Sequence, residues 1–278
     1  MYTLNCKGRL LKVDKPVIMG ILNATPDSFF PGSRLDSVDA ALFKAEQMIR
    51  EGAKILDIGG QSTRPQSAYL EADEEAGRVI PVIEAVNRRF PDQIISVDTF
   101  YGKVAREAVA AGACIVNDVS AGNLDEDLFP AVSQLQVPYV LMHMPGTPQT
   151  MQQHAVYKNV TLEVFDFLNF KIQQLTAAGI KDIIIDPGFG FGKTFRHNFQ
   201  LLHNLSYFLQ LEKPVLIGLS RKATIYKTLE VSAEEALNGT TVANTFALIN
   251  GASILRVHDV KEAFEVIKLF NAYTSSIE

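Results

Sequence analysis

Polar residues of the types used in acid–base chemistry and ligand binding end eight short apolar runs of this chain. The run ends are Asn23, Asp57, Asp98, Asn117-Asp118, His143, Asp186, Ser220-Arg221-Lys222 and Arg256-Val257-His258. A single Asp or Asn at such a place is about as often a helix cap as a ligand. Because all eight runs end in polar residues, and basic groups gather at the last two, capping alone does not explain the pattern. We therefore expect a binding site built from these run ends.

The charged run ends fall into an acidic group and a basic group, which we expect to occupy separate parts of one site. The acidic group is Asp57, Asp98 and Asp186, and the basic group is Arg221, Lys222, Arg256 and His258. A carboxylate can accept two parallel N–H bonds from an amino-amidine edge, as it does from arginine. Basic residues suit a phosphate, and Asn23 could place an oxygen on a Mg²⁺ that is itself bound by phosphate. The predicted ligand is a heterocycle with a phosphate-bearing arm.

Three segments rich in glycine, proline and small polar residues follow the first, second and sixth runs. They are residues 25–34, 59–66 and 187–194. Long loops are often lids or binding loops, and simple turn chemistry is the alternative. The third segment resembles a phosphate-binding loop, but Pro187 stands where that motif needs glycine. We interpret Phe189 and Phe191 as walls of a pocket, with packing beneath the loop as the alternative.

The apolar runs have the length and composition of strands buried on both faces. They are residues 17–23, 55–60, 94–98, 115–118, 139–143, 183–186, 215–218 and 254–258. Apolar residues at helical spacing lie between them, in residues 38–49, 79–90 and 260–270. We expect Asp36 and Ser37 to cap the first of these helices and Gly52 to end it.

Eight repeats of strand and helix predict an α/β fold, the (β/α)₈ TIM barrel, formed as a single domain over residues 1–278. Residues 1–15 are expected to form a hairpin that caps the bottom of the barrel, which spans residues 16–275. An open doubly wound sheet is the alternative, and eight units without a domain break favour the barrel. In a barrel the strand ends meet at one mouth, where active sites are built.

Composition excludes several classes of function. The 278 residues are 47% hydrophobic, and 31 acidic against 26 basic side chains give a net charge of −5. A weakly acidic chain lacks the electrostatic footprint of a nucleic-acid-binding protein, and no apolar run is long enough to cross a membrane. The chain starts without an apolar block and cleavage site, and two cysteines form neither a disulfide framework nor a zinc site. We expect a cytoplasmic enzyme or small-molecule binder.

The run ends and loops together resemble the signatures of the dihydropteroate synthase family, which acts in folate biosynthesis and is the target of sulfonamides. The matching segments are Met19–Phe29, Asp57–Pro65, Ser96–Thr99, Val116–Ser120, Asp186–Phe191, Gly218–Lys222 and Arg256–His258. They follow the order of the family over roughly residues 15–270. The resemblance implies a (β/α)₈ barrel and a transferase that joins a dihydropterin methyl diphosphate to the amine of 4-aminobenzoate, releasing diphosphate. It also implies Mg²⁺ and a homodimer.

The resemblance also implies roles for individual residues. Pterin binding is expected of Asp98, Asn117, Met142, Asp186, Phe191, Gly218 and Lys222. Diphosphate binding is expected of Asn23, Thr63, Arg256 and His258, with Mg²⁺ at Asn23. Contacts with 4-aminobenzoate are expected of Phe29, Arg64, Phe189 and Ser220. Asp98, Lys222, Arg256 and His258 would be catalytic, since they face the charge that develops as the C–O bond breaks.

Two positions depart from the family pattern. Pro31 stands where the family usually has an aspartate in the first loop, and Gln61 replaces a common glutamate. Two other functions remain as alternatives: a pterin-dependent methyltransferase domain, which would not need the diphosphate residues, and a non-catalytic pterin-binding homologue. Phe264, Leu269 and Phe270 are expected either at a dimer interface or in the outer packing of the barrel.

Overall fold

The structure is a computed structural model that describes residues 1–24, 34–61 and 70–276, with the side chains of residues 34–37 left out. The strands are β1 Tyr2–Cys6, β2 Arg9–Val13, β3 Val17–Asn23, β4 Ile55–Gly59, β5 Ile94–Asp98, β6 Ile115–Asp118, β7 Tyr139–Met142, β8 Ile183–Asp186, β9 Leu216–Ile217 and β10 Ile254–Val257. The helices are α1 Arg34–Glu51, α2 Ala72–Arg89, α3 Gly102–Ala111, α4 Leu128–Leu135, α5 Val160–Ala177, α6 Phe195–His203, α7 Ala223–Tyr226, α8 Leu237–Ile249 and α9 Val260–Ser275. Short 3₁₀ helices lie at Met151–His154 and Leu205–Leu211.

The strands from β3 to β10 form one parallel sheet that closes into a barrel. Its order is β8-β7-β6-β5-β4-β3-β10-β9. A parallel bridge between Ile185 and Val215 joins the two ends, supported by a 3.0 Å hydrogen bond from Ile185 N to Pro214 O. The predicted (β/α)₈ barrel is therefore confirmed, and the open doubly wound sheet is excluded.

The predicted N-terminal hairpin is also confirmed. β1 and β2 pair antiparallel, and their apolar face lies against the first residues of the barrel strands. Leu4, Cys6, Leu11 and Val13 pack there with residues such as Met19 at the start of β3. Cys6 and Cys114 are buried in this cluster as free thiols. The hairpin thereby covers the bottom of the barrel and leaves the opposite mouth for function.

The helices follow the predicted apolar stripes, but one cap prediction is wrong. α1 begins at Arg34, so Asp36 and Ser37 lie inside the helix rather than before it. Gly52 does end α1: its φ is +111°, and its N–H donates to Ile49 O at 3.1 Å. A Cβ at Gly52 would stand 2.8 Å from the Phe264 ring, so glycine is required here for space as well as for φ.

Parallel pairing brings the polar strand ends to one level. Asn23 pairs with Gly59, Gly59 with Asp98, and Asp98 with Asn117. On the other side of the barrel Met142 pairs with Asp186.

In the described part of the chain, no helix is both apolar and long enough to pass through a membrane.

Candidate active site

An arginine from the last strand holds two carboxylates in the centre of the mouth. Arg256 Nε donates to Asp57 Oδ2 and Arg256 Nη2 to Asp98 Oδ2, each at 2.6 Å. Asn117 Nδ2 donates to the same Asp57 oxygen at 2.9 Å. Asp57 is fully buried, whereas 22% of the Arg256 side chain is exposed. The expectation of separate acidic and basic groups is therefore wrong, because Arg256 is long enough to cross the mouth and pair with the acids.

Burial brings the pKa of one carboxyl group of this network, that of Asp98, close to neutral pH. Burial raises the pKa of Asp98 to about 7, although the neighbouring Arg256 opposes the rise. Asp57 Oδ1 is buried and has no hydrogen-bond partner among the described residues. A buried carboxylate oxygen without a donor is costly, and such atoms are frequent where a ligand or water is to be bound.

A second charged pair lies across the barrel at the ends of β8 and β9. Asp186 Oδ1 accepts from Gly188 N at 2.7 Å. Lys222 Nζ donates to Phe189 O and lies 4.7 Å from the centroid of the Phe191 ring. Burial raises the pKa of Asp186, and the charge of Lys222 opposes this rise. Burial lowers the pKa of Lys222 to about 8, and the charge of Asp186 opposes that fall. Each charge thus supports the ionised state of the other.

Several acceptor atoms at the mouth are unused. In residues 1–24, 34–61 and 70–276, no hydrogen bond reaches Asp98 Oδ1, Asn117 Oδ1 or Asp186 Oδ2. Met142 lies beside them in a small apolar cluster against which Phe191 packs. The arrangement offers acceptors around one apolar surface, which suits a flat heterocycle that carries several N–H donors.

Ser220 and His258 lie together at the rim. Ser220 Oγ is 3.0 Å from His258 Nδ1 and accepts from His258 N at 3.2 Å. Partial removal from water, followed by the charge of Arg256, lowers the pKa of His258 to about 4. The imidazole is therefore neutral near pH 7, while its residue keeps an exposed face. A neutral imidazole can donate a hydrogen bond to a phosphate oxygen without adding a charge.

Arg221 does not belong to this group, contrary to the expectation from sequence. Its Nε and Nη2 bind the two oxygens of Asp259 at 2.8 and 2.9 Å, and Nη1 donates to Ala233 O and Glu234 O. Its φ of +53° is in the left-handed region, which is unusual for a residue other than glycine. Arg221 therefore ties the segment before α8 to the start of α9.

The two aromatic residues of the segment after β8 separate in the structure. Phe191 is partly buried beside Met142 at the mouth. The side chain of Phe189 is only 1% exposed and belongs to the main core. This placement corrects the expectation that the Phe189 ring contacts 4-aminobenzoate, because a ring in the core has no surface left for a ligand. Phe189 contributes its carbonyl oxygen, which binds Lys222.

Gly218 leaves an open space between two cationic side chains. A Cβ there would lie 3.8 Å from Lys222 Nζ and 4.0 Å from Arg256 Cβ, which are ordinary contact distances. The protein itself therefore does not require glycine at this position. The missing side chain leaves room beside Lys222 for a ligand.

The remaining predicted residues lie at or beyond the edge of the described structure. Asn23 ends β3 and is exposed. Phe29, Thr63 and Arg64, together with Pro31, lie outside the described residues. No group of three or more His, Cys, Asp or Glu side chains in the described ranges could hold a metal ion. One amide oxygen at the rim nevertheless fits Mg²⁺, which usually takes few protein ligands and binds phosphate and water with the others.

The family resemblance gave no role to three residues of the site, although Asp57 and His143 were expected at the mouth as run ends. Asp57 holds Arg256 and Asn117, and its position at a strand end was the available signal. Lys193 and His143 form a buried pair beneath the loop after β8, with Lys193 Nζ 2.9 Å from His143 Nδ1. No spacing rule connects residues 50 positions apart, so only the fold reveals this pair.

Gln61 has a structural partner of its own. Its Nε2 donates to Glu75 Oε2 at 3.1 Å, and its Oε1 accepts from Leu70 N at 2.7 Å. Glu75 is fully buried, and burial raises its pKa to about 7. Gln61 thus connects Glu75 of α2 to the backbone of Leu70, and a neutral amide suits this place beside a buried carboxyl group.

A surface cavity of about 380 Å³ lies apart from the mouth, at the first turns of α5 and α6. Its lining is Tyr157, Lys158, Asn159, Val160, Thr161, Arg196, His197, Gln200 and Asn204. None of these is a predicted site residue. The donors at the two helix starts are taken by the side chains of Asn159 and Thr194.

Comparison with known proteins identifies the family. The family model described as pterin binding enzyme matches residues 19–258. Dihydropteroate synthase of Haemophilus influenzae is 44% identical over 271 residues, which is 97% of this chain and 98% of that protein. A solved structure of the Xanthomonas albilineans dihydropteroate synthase with 4-aminobenzoic acid has a TM-score of 0.91 and 43% identity, and covers 98% of each chain. The same enzyme in complex with 7,8-dihydropteroate has a TM-score of 0.89 and 41% identity, and covers 98% of this chain and 99% of that one. The chain therefore belongs to the pterin-binding enzyme family, and within it to the dihydropteroate synthases.

Proposed function

We propose that this chain performs the dihydropteroate synthase reaction at the barrel mouth with the residues described above. It joins 6-hydroxymethyl-7,8-dihydropterin diphosphate to 4-aminobenzoate and releases 7,8-dihydropteroate and diphosphate. The observation that carries the residue assignment is a ring of acceptors that no donor in the described ranges occupies, Asp98 Oδ1, Asn117 Oδ1 and Asp186 Oδ2, beside the cationic Lys222. A pterin presents N–H donors along one edge and acceptors along another, which complements this set.

The pterin ring is bound by opposite charges and an apolar face. Asp186 accepts from the amino-amidine edge, because an ionised carboxylate can accept two N–H bonds side by side. Lys222 donates to an acceptor atom of the ring, and Met142 and Phe191 pack against its face. Gly218 leaves space for the ring beside Lys222. These contacts hold the reacting methylene at the centre of the mouth.

Bond exchange at the methylene needs charge stabilisation more than proton transfer. The C–O bond to diphosphate breaks with its electron pair on oxygen, and the amine of 4-aminobenzoate forms the new C–N bond. Asp98 faces the positive charge that develops on the methylene and the pterin. The attacking nitrogen loses its proton to water, and an aniline needs no strong base to be nucleophilic.

The leaving diphosphate is bound on the side of β3 and β10. Arg256 and His258 provide donors there, and Asn23 would hold Mg²⁺, which withdraws charge from the leaving oxygens when bound. Thr63 is proposed for the same subsite on its position in the sequence. The carboxylate of 4-aminobenzoate is assigned to Arg64 and Ser220, with Phe29 beside its ring. The solved relative with 4-aminobenzoic acid supports the substrate class.

A homodimer is part of the proposal. α8 and α9 expose large apolar side chains at Val242, Phe246, Ile249, Leu269 and Tyr273. Phe264 and Phe270 instead pack against the core, so only Leu269 of the three predicted residues is open to a partner. Light scattering of the purified protein should give twice the chain mass, and F246S should reduce it towards one. A cytoplasmic location remains a prediction from the sequence.

Diphosphate release tests the function directly. Purified protein is given the pterin diphosphate and Mg²⁺, with and without 4-aminobenzoate. Release that needs the amine supports the synthase, whereas pterin binding without such release would support a non-catalytic homologue. Methyl transfer from a methylated pterin would favour the methyltransferase alternative. D186N should abolish pterin binding, and D166N, at an exposed position on α5, is the matched control that should bind like the parent.

A further inference from the structure

Lys193 is a buried cation to which the proposed mechanism gives no role. Its side chain lies beneath the loop 187–194, and the residue is only 3% exposed. Lys193 Nζ is 2.9 Å from His143 Nδ1, 3.3 Å from His143 O and 3.0 Å from Phe191 O. Long cationic side chains are almost never fully buried unless their charge is matched. The burial of Lys193 therefore needs a physical reason in the contacts of its ammonium group.

The contacts of Lys193 fit a protonated amine. An ammonium group has three N–H donors and no acceptor, and three acceptors surround it here. Two of them are carbonyl oxygens, and the third is an imidazole nitrogen. Burial, followed by the charge of Lys193, lowers the pKa of His143 well below its ordinary value, so the ring is neutral and can accept. Burial lowers the pKa of Lys193 well below its ordinary value, and the charge of Asp186 opposes this effect. The three acceptors around Nζ favour the ammonium form.

The same contacts join the loop to the end of β7. Lys193 binds the carbonyl of Phe191 and that of His143, and His143 N donates to Asp186 O at 3.0 Å. Gly188 shows how close this approach is: with φ at +74°, a Cβ there would lie 1.9 Å from His143 O and 3.2 Å from Lys193 Nζ. Gly188 N is also the donor that binds Asp186 Oδ1. The ammonium therefore lies directly behind the turn that orients Asp186.

We propose that Lys193 is a positioning residue for pterin recognition: its ammonium fixes the loop that carries Phe191 and supplies a positive charge behind Asp186. The inference rests on the proposed function, in which Asp186 accepts hydrogen bonds from the pterin. Lys193 does not touch the ligand in this arrangement. It acts through Asp186, which must be ionised to accept two N–H bonds.

The charge of Lys193 has a predictable effect on pH dependence. The groups that face Asp186 are Lys222, Lys193 and Arg256, all of which lower its pKa against the effect of burial, together with the Gly188 N–H. Removal of one of these charges raises the pKa of Asp186. Pterin binding would then be lost at a higher pH than in the parent protein. An opposite charge nearby typically changes a carboxyl pKa by about 1–3 units, so the acid limb should move up by about one unit or more.

The experiment measures the affinity for 6-hydroxymethylpterin, which has no leaving group, from about pH 5 to about pH 9. K193Q keeps N–H donors but removes the charge, K193M removes both, and K193R keeps the charge. K181Q is the matched control, because Lys181 is exposed and five residues before Asp186. At ~3.3 Å per residue of extended chain, the separation between Lys181 and Asp186 exceeds the ~8 Å Debye screening length, so K181Q should leave the pKa of Asp186 unchanged. The pKa of Asp98 is also about 7, but Lys193 is not among the charges that act on it, so a shift of the acid limb in K193Q belongs to Asp186.

The expected result is an acid limb shifted upward in K193Q and K193M, unshifted in K193R and in K181Q. At a pH about one unit below the midpoint of the parent's acid limb, an upward shift of about one unit makes pterin binding roughly tenfold weaker. Equal weakening at every pH in K193Q, or no change at all, would overturn the proposal and leave Lys193 a packing residue. If K193M does not fold, K193Q still decides. Failure of the parent protein to bind the pterin would instead contradict the proposed function, so the two failures are distinguishable.

Discussion

Replacement of Arg256 with methionine is expected to destabilise the fold strongly, because it leaves two neighbouring carboxylates without the cation that pairs with both. Arg256 pairs with Asp57 and Asp98 at 2.6 Å each, and Asp57 is completely buried. Removal of one partner of a buried ion pair costs about 3–5 kcal/mol. Since 22% of the Arg256 side chain remains exposed, we expect about 3 kcal/mol. In a chain of this size that lowers the melting temperature by roughly 6 °C or more.

The loss should also depend on pH in a definite direction. In the parent protein the pKa of Asp98 is about 7, above its ordinary value of about 3.9. The folded state therefore holds this proton longer than the unfolded state does, and the contribution of Asp98 to stability falls as pH rises from about 4 to about 7. Arg256 opposes the rise in pKa, so without it the pKa of Asp98 is higher still and the fall continues above pH 7. The parent and R256M should therefore differ more at about pH 9 than at about pH 6.

Thermal unfolding at both pH values measures the effect. R106M is the matched control, because Arg106 pairs with Asp127 on the surface, where 38% and 52% of the two side chains are exposed, and a screened pair contributes little. The double variant R256M/D98N should lose the extra instability at high pH. If R256M melts like R106M at both pH values, the mouth network does not contribute to folding as argued.

Three further outcomes are expected. G218A should keep the parent melting temperature, because the added Cβ meets only ordinary contact distances. It should bind pterin about tenfold more weakly, since the methyl group fills space that the ligand needs. Calorimetric titration measures the affinity, and an unchanged value would contradict the role of Gly218. The value of kcat/KM should rise as Asp98 ionises near pH 7 and fall as Lys222 loses its proton near pH 8, which gives a narrow bell-shaped pH profile. The acid limb of this profile should shift or disappear in D98N. A flat profile would exclude the catalytic roles of Asp98 and Lys222. Q61E places a second carboxyl group beside Glu75, whose pKa is about 7. The melting temperature of Q61E should therefore fall more at about pH 8, where both carboxyl groups are ionised, than at about pH 6. Equal melting temperatures at both pH values would show that Gln61 does not pack beside Glu75 in solution.

Much of the architecture was predictable because it depends on local pattern. The runs 17–23 and 183–186 are apolar over nearly their whole length, which is typical of a strand buried on both faces, and both are strands of the barrel. Eight such runs with helices between them leave few arrangements. The exact start of α1 was not predictable, because Asp36 and Ser37 are as compatible with the first turns of a helix as with its cap.

The position of the mouth was predictable as well, but the partners within it were not. Residue type identified Arg221 and Arg256 as equally suited to a ligand, yet Arg221 pairs with Asp259 at the start of α9, whereas Arg256 crosses the mouth to Asp57. Phe189 and Phe191 differ in the same way, since adjacent turns of one loop direct one ring into the core and the other towards the mouth.

Residue order and hydrophobic period are enough to predict the fold class, the level at which the polar strand ends meet, and the family whose signatures they carry. These follow from hydrophobic period and residue order, which act over short distances along the chain. The folded chain is needed to show that Arg256 lies between two carboxylates 199 and 158 positions away, and that Lys193 contacts His143. Side-chain direction and burial set these pairings and the pKa shifts that accompany them, because both depend on what the rest of the chain places around each group.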